Sequence, residues 1–148
     1  MTNTNTYLEN QVLTATPQKL RLMLIEGAIR FAGAAKGHWA GGEVEAAETA
    51  ILRAMAIVGE LVRSVRAERE DCQRFVDHIR RDEKLSAERR EEEIERLVAI
   101  GRDTTAVYLV VLRDLNEILL AADAQRIENV LRVLEVERET AQLVCQQM

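Results

Sequence analysis

The sequence predicts an all-α protein: an antiparallel up-and-down bundle of four main helices, with an extended hairpin between the second and third and a mobile N-terminal arm. Three observations predict it. The chain of 148 residues is 47% hydrophobic but only 3% aromatic and holds a single proline, a composition suited to packed helices and poor in the residues that favour strands. Its apolar residues recur at i, i+3 and i+4, the spacing of a helix face. The intervals between these stripes are short, which makes neighbouring helices fold back on one another. One domain, residues 1–148, is expected, since this length buries an adequate core without disulfides or metal.

Residues 1–15 are rich in Thr and Asn and read as an arm whose Tyr7, Val12 and Leu13 could dock elsewhere. Thr16 before Pro17 forms a helix start, the hydroxyl capping free amides and proline filling a position whose N–H is not needed. Leu20, Met23, Leu24, Gly27, Ala28 and Phe31 then make one stripe, with Leu22, Ile25 and Ile29 beside it. This helix is expected to end near Gly37, and 37-GHWAGG-42 to supply the connection. A second helix over about 43–81 carries Ile51, Ala54, Val58, Leu61 and Val65, with Glu43, Glu45 and Glu48 near its positive end. Ser86 caps a third helix running to about residue 122. Its later part is apolar on two sides, Leu112, Leu115 and Leu119 on one and Val107, Val110 and Val111 on the other. After a break at Asp123, Ile127, Val130, Leu134 and Ala141 define the fourth helix. Residues about 70–100 form the tip of the hairpin, Cys72, Phe75, Val76 and Ile79 facing Ile94, Leu97 and Val98. At the helical rise this tip extends about 15–20 Å beyond the other helices.

The net charge of −5, with acids spread along the chain, offers no basic field for phosphates and disfavours nucleic acid. The polar N-terminus is no signal peptide, and no run is long enough to span a bilayer, so a cytoplasmic protein is expected. Two cysteines, Cys72 and Cys145, stand far apart and read as small core residues of a reduced protein. No nucleophile elbow, phosphate loop or dinucleotide glycine pattern occurs, and neither His38 nor His78 has the acid three residues earlier that a di-iron bundle needs. Both histidines read as surface residues, and 91-EEEIE-95 as a solvated face. No enzyme and no cofactor are expected.

The apolar excess of the first and third helices has two explanations. Helices packed on two sides need two stripes; a groove for an amphipathic helix or extended peptide needs the same surface. The string 7-YLENQVLTATPQKLRLMLIEGAIRF-31 favours the second, because it closely resembles the N-terminal motif of the FliS-type flagellin export chaperones: Tyr, then Val-x-Thr-Ala-Ser/Thr-Pro-x-x-Leu, then Met-Leu-aromatic-acid-Gly-Ala-Ile. Tyr7, Val12, Thr14 to Pro17, Leu20, Met23, Leu24, Glu26 to Ile29 and Phe31 match at the right spacing. Looser resemblance continues through 52–65 and 115–140. Departures from the motif are Ile25 at the aromatic position, Leu112 and Asp114 where tyrosines are common, no C-terminal tryptophan, and the insertion at about 70–100.

The resemblance implies a small helical chaperone that binds the C-terminal segment of newly made flagellin in the cytoplasm, prevents premature polymerisation and assists flagellar secretion. It implies Tyr7, Val12 and Leu13 as switchable occupants of a site built partly on Leu20, Leu24, Ile25 and Ile29. Further export components and self-association are open as partners. The alternative keeps the fold but makes the protein an adaptor or self-associating helical protein using the long hairpin for coiled-coil contacts.

Overall fold

The protein is described here by a computed structural model covering residues 16–121, 123 and 125–147. The described residues form four helices, α1 (Pro17–Ala40), α2 (Val44–Arg81), α3 (Ala87–Ala121) and α4 (Gln125–Gln146), with no strand among them. The arm with Tyr7, Val12 and Leu13 lies outside the described residues.

Three of the four helix starts carry a local side-chain cap; Glu43, ahead of α2, makes none. Thr16, with extended backbone (φ −64°, ψ 158°), accepts a hydrogen bond on its hydroxyl from the Lys19 amide at 3.2 Å, and Pro17 occupies the first turn. Ser86 Oγ accepts from the Arg89 amide at 3.3 Å ahead of α3. Asp123 Oδ1 accepts from the Gln125 amide at 3.2 Å ahead of α4. These acceptors satisfy amides that have no partner inside the helix.

α1 does not stop near Gly37 as the glycines suggest; it runs to Ala40. Trp39 packs against the core, and the carbonyls of Gly37, His38 and Trp39 accept from the amides of Gly41, Glu43 and Gly42. The last turn is therefore held by both packing and capping. The reversal falls at Gly42, with φ +75°, a backbone conformation that costs a residue with a Cβ roughly 1–2 kcal/mol.

Every helix contributes to one core, in which Ile25, Ile51, Leu61, Leu115, Ile118 and Leu134 are wholly enclosed. Burying each such side chain stabilises the fold by about 1.5–3 kcal/mol. α2 lies against α1 and α3, and α4 against α1 and α3. Side chains join the pairs at defined heights: Arg21 with Glu68, Lys36 with Glu128, and Glu117 with Arg126.

α2 and α3 have 38 and 35 residues, against 24 and 22 for α1 and α4. In their loop-side halves Val76 and Ile79 are buried. Phe75 departs from expectation: it is 58% exposed, and Val98 37%. Two helices alone cover only a narrow strip of each other, and Phe75 lies about 100° round the helix from Val76, at the edge of that strip. The side chains of Cys72 and Leu97 lie outside the described residues. Cys145 is a half-buried free thiol rather than a fully buried core residue.

Candidate functional site

The residues that the motif singles out on α1 do not share one surface. At about 100° per residue, Leu20 and Ile29 stand half a turn apart on α1. Leu20 and Leu24 fall on the flank that faces α2, the side marked by Gly27 against Ile57 and by the Arg53 guanidinium over the Phe31 ring at 5.6 Å. Ile29 falls on the other flank, the side of Lys36 and its α4 partner Glu128. Both Leu24 and Ile29 are half-buried against the core, and Ile25 is at 0% exposure. Ile25 thus presents no surface in this state, and its place between the two flanks makes it a core anchor. A Cβ added at Gly27 would stand 3.4 Å from Ile57 Cδ1, so the glycine marks a close helix approach.

The largest exposed apolar side chains lie elsewhere. Because Arg53 and Ile57 turn toward α1, the opposite flank of α2, with Leu52, Met55 and Gly59, faces α3. Because Glu117 turns toward α4, Leu112 and Leu119 turn toward α2, and Leu109 and Leu120 point outward. Leu52 is 53% exposed, Leu109 42% and Leu120 79%, whereas Met55, Leu112 and Leu119 are half-buried against the core. Counted back from the shared loop at the helical rise, Leu52 and Leu120 both stand roughly 45–50 Å along the hairpin, and Gly59 and Leu109 both about 35 Å. Nothing lies within 4 Å of where a Gly59 side chain would begin. Helical spacing thus places an apolar strip two to three turns long beside the α2–α3 seam, half-buried residues next to the core and exposed leucines outside them. Periodicity identified Leu112 and Leu119 but not Leu52, Leu109 or Leu120, whose exposure depends on which flank each neighbour covers.

A second feature is polar. Where the start of α1 meets the middle of α3 and the end of α4, Gln18, Arg21, Tyr108, Glu137, Thr140 and Val144 line a cleft of about 100 Å³. Tyr108 is 1% exposed and donates its hydroxyl proton to Glu137 Oε2 at 3.4 Å. Burial, and then the Glu137 charge, hold the Tyr108 proton well above the ordinary phenol range, against a smaller opposing effect of Arg21. Arg21 pairs through its Nη2 with Glu68 Oε2 across the α1–α2 interface.

Among the described residues no cluster of His, Cys, Asp or Glu could hold a metal, and no helix is long and apolar enough to cross a membrane. His38 sits in the last turn of α1, its Nδ1 3.5 Å from Glu43, and His78 is exposed on α2. In the acidic run, Glu91, Glu92 and Glu95 are exposed and Glu93 pairs with Arg96 at 3.0 Å.

A protein-family profile described as flagellar protein FliS matches residues 1–78. The match spans the N-terminal motif, all of α1 and nearly all of α2, including Leu52 and Gly59. No curated protein matches the chain.

Proposed function

The chain belongs to the flagellar protein FliS family, whose members are chaperones of flagellum assembly and export rather than enzymes, and on that premise we propose that it acts in the cytoplasm on flagellin. It binds the C-terminal segment of flagellin, masks it against premature polymerisation and hands it to the export machinery. The scaffold for this is an up-and-down antiparallel bundle, a reading supported by Arg21 near the start of α1 meeting Glu68 late in α2, and by Lys36 late in α1 meeting Glu128 early in α4.

The observation that carries the reading is the exposure of Leu52, Leu109 and Leu120 on a chain of this family. A client helix laid along these leucines is anchored by apolar side chains at i, i+3 or i+4 and i+7. Leu20 and Leu24 on the α2 flank of α1, and Ile29 on its α4 flank, are separate further contacts for the client, and Tyr7, Val12 and Leu13 of the arm compete for them when no client is bound. No bond is made or broken.

Calorimetric titration of the protein with the C-terminal peptide of its own organism's flagellin, at two temperatures, tests this. The expected result is one-to-one binding with a negative heat-capacity change, the mark of apolar burial. Leu52→Asp and Leu120→Asp, at exposed positions, should weaken binding at least tenfold while leaving the circular dichroism unchanged. Absence of saturable binding by the folded protein would refute the reading.

Phe75, 58% exposed on the hairpin, favours a second reading, a helical adaptor that associates through that arm. Phe75→Glu would then abolish an oligomer and leave flagellin binding intact.

A further inference from the structure

The geometry points to Gly59 as a specificity-determining residue of the α2–α3 surface: it leaves a hole that takes one large apolar side chain, Leu, Ile, Met or Phe, of the bound client. This rests on the client-binding reading above and specifies which client segment the strip accepts.

The fold itself gives Gly59 no task. A glycine within a helix weakens it relative to alanine, and the usual structural reasons for one are absent here. Among the described residues the glycine with positive φ is Gly42, so Gly59 has backbone that any residue adopts inside α2. No neighbouring helix presses on it either: an added Cβ would meet nothing within 4 Å, whereas at Gly27 it would stand 3.4 Å from Ile57 Cδ1. Space beside the α2 backbone is left open although a side chain there would strengthen the helix.

What borders that space is apolar. Leu52, Met55 and Gly59 fall at i, i+3 and i+7 of α2, one stripe in which two large side chains are followed by none. Across the seam Leu109 stands at the height of Gly59, and Leu112 at about that of Met55. Leu109 is exposed, while Met55 and Leu112 are half-buried against the core. Met55, Gly59, Leu109 and Leu112 thus frame a hole of the kind that receives one knob from a facing helix. The next charged groups along α2, Glu60 and Arg63, pair with each other, so a polar knob would face Met55 and the leucines with its hydrogen-bonding groups unmet. Gly33 and Gly37 are equally unhindered, but α1 carries no exposed large apolar side chain. Among the described glycines, Gly59 alone joins open space to an apolar rim.

The test is calorimetric titration of the full chain, of Gly59→Ala and of Gly59→Leu with the C-terminal peptide of the same organism's flagellin, and with versions of it in which each Leu, Ile, Met and Phe is changed in turn to Ala. Gly59→Leu fills the hole and should lower affinity for the unchanged peptide at least tenfold; Gly59→Ala should lower it by a smaller factor. Both variants should melt at the same or a higher temperature, since each new residue favours a helix more than glycine does. Weaker binding on a firmer fold separates a filled hole from a damaged bundle. One Ala peptide should bind the parent chain at least tenfold more weakly than the unchanged peptide, yet bind Gly59→Leu no worse than the unchanged peptide does, because two side chains that compete for one space are coupled. The hole is overturned if Gly59→Leu binds the unchanged peptide as the parent chain does, or if every truncation costs the same on both proteins. A lower melting temperature for both variants overturns it as well, since the space would then be filled within the protein. Failure of the parent chain to bind the unchanged peptide overturns the client reading together with the hole, a separate outcome.

Discussion

Single side chains carry two of the expectations. Thr16 accepts the Lys19 amide and is otherwise exposed, so Thr16→Ala should lower the unfolding free energy by about 1 kcal/mol in urea titration, with no change in slope. Tyr108 carries the other. Its folded pKa lies above the ordinary value of 10.0, so raising the pH past 10 deprotonates the unfolded chain first and stability falls. The loss grows with pH until the folded pKa is reached. Tyr108→Phe should therefore be less stable at pH 7, where the Glu137 hydrogen bond is lost, yet show a flatter decline between pH 9 and 11. Equal decline in both proteins would show that Tyr108 is not the group responsible. At this scale the sequence is legible where chemistry is local. The Thr16–Pro17 cap needs only its own turn, and the opposition of Leu20 and Ile29 only their spacing, whereas the enclosure of Ile25 and the neighbour that each flank meets depend on α2 and α4.

Among the helices, α1 is the one whose composition works against it. Gly33 and Gly37 lie inside it, and an added Cβ at either would meet nothing within 4 Å. Each glycine costs roughly 0.5–1 kcal/mol relative to alanine, so Gly33→Ala and Gly37→Ala should each stabilise by that amount and raise the melting temperature by about 1–3 °C. Gly42→Ala, at φ +75°, should go the other way. A melting temperature unchanged or lowered at Gly33 would mean that the open space beside it is filled in solution. The glycines also explain why the end of α1 was illegible in sequence: Gly37 looks like a stop, and only the packing of Trp39 and the three capping carbonyls carry the helix onward. The bounds of α2 were clear because no glycine or proline interrupts its second half. Phe75 was not, since its stripe continues the pattern of α2 but leaves the helices that would cover it.

Across the whole molecule the core is unevenly distributed. The central cluster reaches Val65 on α2 and starts at Tyr108 on α3, so Val76 and Ile79, buried farther along the hairpin, stand outside it. Among the described residues over 70–98, Val76 and Ile79 alone are buried, and a segment so held opens more easily than the domain as a whole. Hydrogen exchange should accordingly divide the molecule: amides over 51–65 and 111–118 exchange only with global unfolding, while those over 70–81 and 87–96 exchange by a smaller opening with weaker denaturant dependence. The same measurement separates the two functional readings. Client peptide should add protection around Leu52, Gly59 and Leu109 and leave the hairpin unchanged, because the strip lies about 35–50 Å from the hairpin loop. Self-association through Phe75 should instead protect 70–81 as protein concentration rises, with no peptide present, since binding stabilises a segment by mass action. If the hairpin proves as slow to exchange as the core without client and at low concentration, the division of stability is wrong and the insertion belongs to the bundle. If it is fast and responds only to concentration, the hairpin is an association device carried on a bundle whose client surface lies elsewhere.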